Sequence, residues 1–226
     1  MICGIKFEMN NSLFIRDPQD TDLGKKILQY SILLIDEIGF EAFTFKKLAH
    51  RIDSVEKSIY RYFENKHYLL LFLTSWYWEW VYYLINVNVK NIEDPRNRLQ
   101  VAIKKMVHAT SENVDTQYIN ENVLHKLVIN ESAKAYHTFH VDTENQAGLF
   151  WSYKKLIIMI SEIICEIDPD FPYAKSLASN LFEMSNTQIY FAQHLPRLTS
   201  LHSDPVDDNE LIEMLSFFAE KLLRKA

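Results

Sequence analysis

Six basic residues lie between Thr44 and His67: Lys46, Lys47, Arg51, Lys57, Arg61 and Lys66. They are set against three acids, Asp53, Glu56 and Glu64, a local excess of three positive charges in a chain whose net charge is −6. An acidic total opposes binding to a polyanion, but phosphate affinity follows the local field, so this stretch is where nucleic-acid chemistry would sit. A second set, eight histidines among many carboxylates, raises metal chemistry. A di-metal helical bundle needs two Glu-x-x-His motifs on facing helices, whereas Glu121 and His125 are four apart and His137-x-x-His140 has no matching carboxylate motif. The third set is aromatic: Trp76, Trp78, Trp80, Tyr82, Tyr83, Trp151 and Tyr153 suit either the wall of an apolar ligand pocket or ordinary core and dimer packing. There is no glycine-rich phosphate loop, nucleophile elbow or kinase-like motif set, so no enzyme activity, cofactor or metal is expected.

The elements that must position these residues are helices. Leu23, Ile27, Tyr30, Leu34 and Ile38 recur at helical spacing and Gly39 supplies a stop, which predicts a helix from Asp22 to Ile38. Thr44 is placed to cap a short second helix, Phe45 to Ile52, with Leu48 and Ile52 inward and Lys46, Lys47 and His50 wet. Asp53-Ser54 reads as a turn before a third short helix, Val55 to Phe63, and Glu64-Asn65 restart the chain into a longer helix, Tyr68 to Val89. Three short helices with a tight turn between the last two suggest a helix-turn-helix. Further helices are expected from Asp94-Pro95 to near Ser111, over Tyr118–His137, Thr143–Ile167 and Phe171–Gln193, and from Asp208. The last carries the stripe Leu211, Leu215, Phe218, Leu222, with Lys221, Arg224 and Lys225 complementing its C-terminal dipole. The final two long helices are the candidate dimer interface, four helices with their symmetry mates.

The composition, 48% apolar and 24% charged with only four glycines and six prolines, is that of a globular helical protein rather than a disordered or turn-rich β chain. The aromatic run after Tyr68 is nearly long enough to span a bilayer, but Glu79, Thr74 and Ser75 interrupt it and no second span or flanking basic pattern follows, so no membrane association is expected. Met1 to Arg16 lacks the pattern of a secretory signal, and Cys3 and Cys165 match no metal or redox spacing; a cytoplasmic protein without a disulfide is the expectation.

The run Ile38-Gly39-Phe40-Glu41-Ala42-Phe43-Thr44-Phe45-Lys46-Lys47-Leu48-Ala49, followed by Ser58-Ile59-Tyr60-Arg61-Tyr62-Phe63-Glu64-Asn65-Lys66-His67-Tyr68-Leu69-Leu70, resembles the DNA-binding region of TetR-family transcriptional regulators. It departs at the turn, where Asp53-Ser54-Val55 stands for the commoner Gly-Val-Ser, leaving valine at the usual cap position with Ser54 as a substitute cap. The resemblance implies an all-α protein: an N-terminal arm (1–20), a three-helix helix-turn-helix DNA-binding domain (21–67), and a larger helical ligand-binding and dimerisation domain (68–226). It implies a homodimer on a pseudo-palindromic double-stranded operator, a repressor released by a small apolar or aromatic effector. DNA contacts are expected from Thr44, Lys46, Glu56, Lys57, Ser58, Tyr60, Tyr62 and Lys66, with Glu56 to Ser58 nearest the base edges and Lys66 clamping a phosphate. Arg61 is expected to face outward, as a phosphate contact or a solubilising charge. Some of Trp76, Trp80, Tyr83 and Trp151 are expected to face the ligand. The alternatives are a helical ligand-binding or scaffold protein that has lost DNA binding and, behind it, a metal-dependent helical-bundle enzyme.

Overall fold

A computed structural model describes residues 5–109, 118–202 and 206–223. Cys3, Ser111, Arg224 and Lys225, which entered the expectations above, lie outside the described residues. The described residues form eleven α-helices and no strand. They are α1 (Asp22–Ala42), α2 (Phe45–Arg51), α3 (Glu56–Ile59), α4 (Lys66–Val89), α5 (Pro95–Val107), α6 (Glu121–Glu131), α7 (Ala133–Tyr136), α8 (Val141–Gln146), α9 (Trp151–Ile167), α10 (Ala174–His194) and α11 (Asp208–Leu222). None is long and apolar enough to cross a membrane.

The chain condenses into two compact units, Met1–Glu79 with Thr110–Ser152, and Trp80–Ala109 with Tyr153–Ala226. Residues 21–67 fall wholly within the first, which also takes in the arm, the first half of α4 and α6 to α8. Its core is built on Ile27, Leu28, Ile32, Phe43, Leu48, Ile59 and Phe63 with the buried start of α4, Leu69 to Leu73. The arm is packed, not loose. Phe7 and Gln19 exchange hydrogen bonds, backbone to side chain in both directions (3.2 and 2.9 Å), Phe7 sits edge-on to Trp76, and Phe14 sits edge-on to Phe72. Gly24 permits this, because a Cβ there would meet the Pro18 carbonyl oxygen at 2.2 Å. In the second unit α5, α10 and α11 pack on one another over Leu99, Ile103, Leu181, Leu211 and Leu215.

Two expectations about the helices are corrected. The stretch 118–137 is two helices, α6 and α7, and 143–167 is also two, because Gly148 takes a left-handed conformation (φ 76°) between α8 and α9. Asn10 of the arm seals that break with a hydrogen bond from its side-chain amide to the Ala147 carbonyl (3.1 Å). The stripe on α11 is only half inward: Leu211 and Leu215 are buried, but Phe218 and Leu222 are 41% and 56% exposed and Ile212 and Ala219 complete the inner face.

Candidate nucleic-acid interface

The helix-turn-helix is assembled from local chemistry that the sequence announces. Thr21 caps α1 by accepting the Gly24 amide (3.0 Å). Gly39, at φ 75° and ψ 156°, takes the chain out of the helical ladder so that Phe40 to Phe43 make a corner. Thr44 caps α2 by accepting the Lys47 amide (3.2 Å), and Asp53 makes the turn in the left-handed region at φ 51°. Asparagine and aspartate tolerate that region better than other non-glycine residues, which is how this chain replaces the usual glycine. Val55 occupies the N-cap of α3 with no side-chain cap bond, so Ser54 does not take over as substitute; its amide is spent on the Ala49 carbonyl (2.9 Å). The third helix is shorter than expected: only Glu56–Ile59 is helical, and turn geometry carries the chain through Tyr62.

Four of the eight expected DNA-contact residues line one groove of about 330 Å³: Thr44, Glu56, Tyr60 and Lys66, together with Phe43, Phe45 and Asn65. Tyr60, 47% exposed, rests edge-on against Phe45 with ring centroids 5.0 Å apart, so its hydroxyl is held out from a rigid base. Lys46 and Lys57 are exposed, as is Arg61, and Ser58 is half-buried beside them. These three cations make no ion pair among the described residues. Arg51, by contrast, is paired with Glu37 (3.1 Å).

Two expected contacts are placed otherwise. Tyr62 is buried; its hydroxyl hydrogen-bonds with Thr21 (2.7 Å), its carbonyl accepts the Ile15 amide (2.8 Å), and the Arg16 guanidinium lies over its ring (5.6 Å). It fastens the arm and α1 to the end of α3 and presents no polar atom outward. Lys66 directs its ammonium inward to three carbonyls, Phe40 (3.0 Å), Glu41 (3.1 Å) and Phe43 (3.3 Å), and over the Phe40 ring (4.7 Å). An ammonium has three N–H donors, so these bonds use all of them and leave none to clamp a phosphate. Lys47 does the same with the remaining corner carbonyl, Ala42 (2.8 Å). Both lysines neutralise the C-terminal dipole of α1.

The corner has another partner that the sequence did not reveal. Glu131, at the end of α6 and mostly buried, accepts the Phe40 amide (3.0 Å) and pairs with Lys134 (2.7 Å), which also reaches Glu41 (3.0 Å). The hydrogen bond from Lys134 holds the Glu41 carboxyl below its usual range, and the one to Glu131 raises the Lys134 ammonium above its own. At the start of α4, His67 pairs with the buried Glu144 of α8 (2.7 Å). No signal within residues 21–67 points to Glu131 or Glu144.

The expected ligand residues are dispersed. Trp76 and Trp80 are fully buried; the Trp80 indole donates to the Ala109 carbonyl (2.9 Å) and stacks with the half-buried Tyr83 (5.9 Å). Trp151 is 58% exposed at the start of α9. Among the described residues no group of three or more His, Cys, Asp or Glu is arranged to hold a metal ion. His125 is buried and stacks on Tyr77 (5.3 Å), and His137 and His140 are exposed.

No family sequence profile and no curated protein sequence matches this chain. Solved structures do match in fold. A protein from Syntrophomonas wolfei assigned to the TetR family of transcriptional regulators is 18% identical, with 88% of this chain and 93% of that one covered and a TM-score of 0.64. AibR, solved with isovaleryl coenzyme A and operator DNA, is 14% identical over 86% of this chain and 97% of its own, TM-score 0.59. The fatty acid degradation regulator FadR from Bacillus halodurans is 14% identical over 88% and 93%, TM-score 0.59. The chain shares its all-helical fold with these three proteins, one of them assigned to the TetR family.

Proposed function

We propose that this chain is a transcriptional regulator that binds a pseudo-palindromic operator as a homodimer and, as a repressor, releases it on binding a small apolar or aromatic effector. The observation that carries the reading is the braced helix-turn-helix on which Lys46, Lys57 and Arg61 stand free of ion pairs, while Lys47 and Lys66 bond backbone carbonyls and Arg51 pairs with Glu37 at the surface. Tyr60 and Ser58 share the face, and residues 21–67 are the DNA-reading segment, with effector binding and dimerisation in 68–226. AibR, of the same fold, was captured with operator DNA and isovaleryl coenzyme A, which supports DNA as a partner and a small molecule as the effector. Phe217, Phe218 and Leu222 on α11 and Leu195 and Leu198 just beyond α10 are exposed apolar groups of the kind a dimer covers, and α10 and α11 are the two helices expected to dimerise. Trp76, Trp80 and Tyr83 are the candidate effector contacts.

The test is binding of the full-length chain to its own upstream DNA, to sequences selected from random duplex, and to an unrelated duplex, across a salt series. A dimer presenting Lys46, Lys57 and Arg61 twice neutralises about six phosphates, so log K should fall with log salt at a slope of about −5. Sequence-selective, salt-steep binding weakened by Tyr60→Ala and Lys57→Ala is the expected result. Absence of binding to any duplex at low salt would instead favour a ligand-binding protein that has lost DNA recognition. A tryptophan-fluorescence screen of apolar and aromatic compounds tests the effector, and unchanged emission throughout would count against it.

A further inference from the structure

We infer that Glu131 is the positioning residue of the DNA-reading segment: a carboxylate from α6, outside the helix-turn-helix, fixes the α1–α2 corner and thereby the direction in which α2 leaves it. The inference rests on the regulator reading only for what the corner serves; the fixing itself is a property of the fold.

The corner is a short stretch that must be held from both sides. At Gly39 the backbone leaves the ladder, and the next amide, that of Phe40, is met by Glu131 Oε1 at 3.0 Å. The Lys66 ammonium in turn gathers the carbonyls of Phe40, Glu41 and Phe43. An anion on the N–H side and a cation on the C=O side leave the peptides between them one orientation, and charge-assisted bonds of this kind are about twice as strong as neutral ones. Thr44, the cap of α2, follows directly, so the pose of Lys46 is set by this corner. Glu131 is itself aimed: Lys134, one turn on, pairs with its Oε2 at 2.7 Å and with Glu41 at 3.0 Å. A Cβ on Gly39 would stand 3.9 Å from Glu131 Oε1, an ordinary contact. Glycine is therefore needed there for its positive φ, and that φ is what delivers the Phe40 amide to the carboxylate. Because α6 packs along α1, a shift of α6 has a direct bonded route to the corner.

The experiment is amide hydrogen exchange on the full-length protein, comparing the natural chain with Glu131→Ala, Glu131→Gln and Lys134→Ala, alongside operator binding across a salt series. Glu131→Ala should speed exchange over residues 39–45 about tenfold, the loss of one hydrogen bond to a charged acceptor, while α10 and α11 exchange as before. Glu131→Gln, which keeps an acceptor oxygen, should restore most of the protection, and Lys134→Ala should give a smaller increase of about threefold. Should Glu131→Ala not fold, the other two variants carry the comparison. Unchanged exchange over 39–45 in every folded variant overturns the inference, whatever the DNA does. On DNA, removing an acid by charge alone would tighten binding, whereas loss of positioning weakens it, about tenfold here, with the salt slope unaltered. Faster exchange with tighter DNA binding therefore overturns the positioning role. Faster exchange in a protein whose natural chain binds no DNA upholds the corner and defeats the regulator reading instead.

Discussion

The helix-turn-helix and the pair α10 and α11 differ in what each leaves unpartnered. In the first, polar groups are spent lavishly on internal bonds: Lys47 and Lys66 on α1 carbonyls, Tyr62 on Thr21, Glu131 on Phe40. What stays outside includes three unpaired cations, Lys46, Lys57 and Arg61, with Asp53 and Glu64 also exposed on the same small body. In the second, the interior is packed by apolar groups such as Leu181, Leu211 and Leu215, and large apolar side chains also stay outside among charged ones, with Phe217 and Leu222 each 56% exposed beside Glu213, Glu220 and Lys221. Free cations suit a polyanion and free apolar surface suits a second protein surface, so the contrast is the one that the proposed DNA and dimer faces would make. It also teaches that counting basic residues overstates a DNA face, since three of six are committed to the fold.

The sharpest way to break this contrast is Lys66→Met. If the lysine is structural, losing three carbonyl bonds costs about 3 kcal/mol of stability, read by urea denaturation, and any loss of DNA binding tracks the loss of fold. A phosphate clamp would instead leave stability unchanged and lower the salt slope. Next in size, Phe217→Glu with Leu222→Glu should weaken self-association at least a hundredfold, about 2.7 kcal/mol, in sedimentation equilibrium. A dimer as tight as the natural one would move the association face elsewhere. Lys57→Ala comes third: about tenfold weaker operator binding, with the salt slope reduced by about two for the dimer, and no change in stability because the side chain is bonded to nothing.

What was legible in the sequence is what local chemistry decides. Gly39, Thr44 and Asp53 each sit where a backbone conformation or an orphan amide demands that residue type, and helical spacing finds the buried side of α1 and α2. Periodicity names a face but not a partner. The resemblance placed Tyr62 and Lys66 on the DNA side, and neither it nor periodicity could show that one hydroxyl turns to Thr21 or that one ammonium turns to three carbonyls a helix away. Glu131 was invisible because it lies 91 residues from the amide it accepts. The break at Gly148 was missed although glycine is the stop signal that was read at Gly39, and the arm residue that seals it is 137 positions distant. Trp151 was drawn toward a ligand by its residue type, while its place at the exposed start of α9 is set by that same break.

The smallest expected effect tests the turn itself. Asp53 holds φ 51° without being glycine, a strain of about 1 kcal/mol, and brings an anion beside the exposed cations. Asp53→Gly relieves the strain but adds backbone entropy to the unfolded chain, so the two nearly cancel and stability should rise by only about 0.5 kcal/mol. Asp53→Asn keeps the left-handed tolerance and removes only the charge. Both should therefore tighten operator binding about twofold to threefold at low salt, converging on the natural chain as salt rises and screening takes over. Asp53→Ala, which has neither the glycine freedom nor the local hydrogen-bonding side chain, should lose about 1 kcal/mol of stability. If Asn and Gly variants bind DNA more weakly than the natural chain at every salt, the carboxylate is reading DNA rather than merely shaping the turn, and the DNA face extends across Asp53 toward α2.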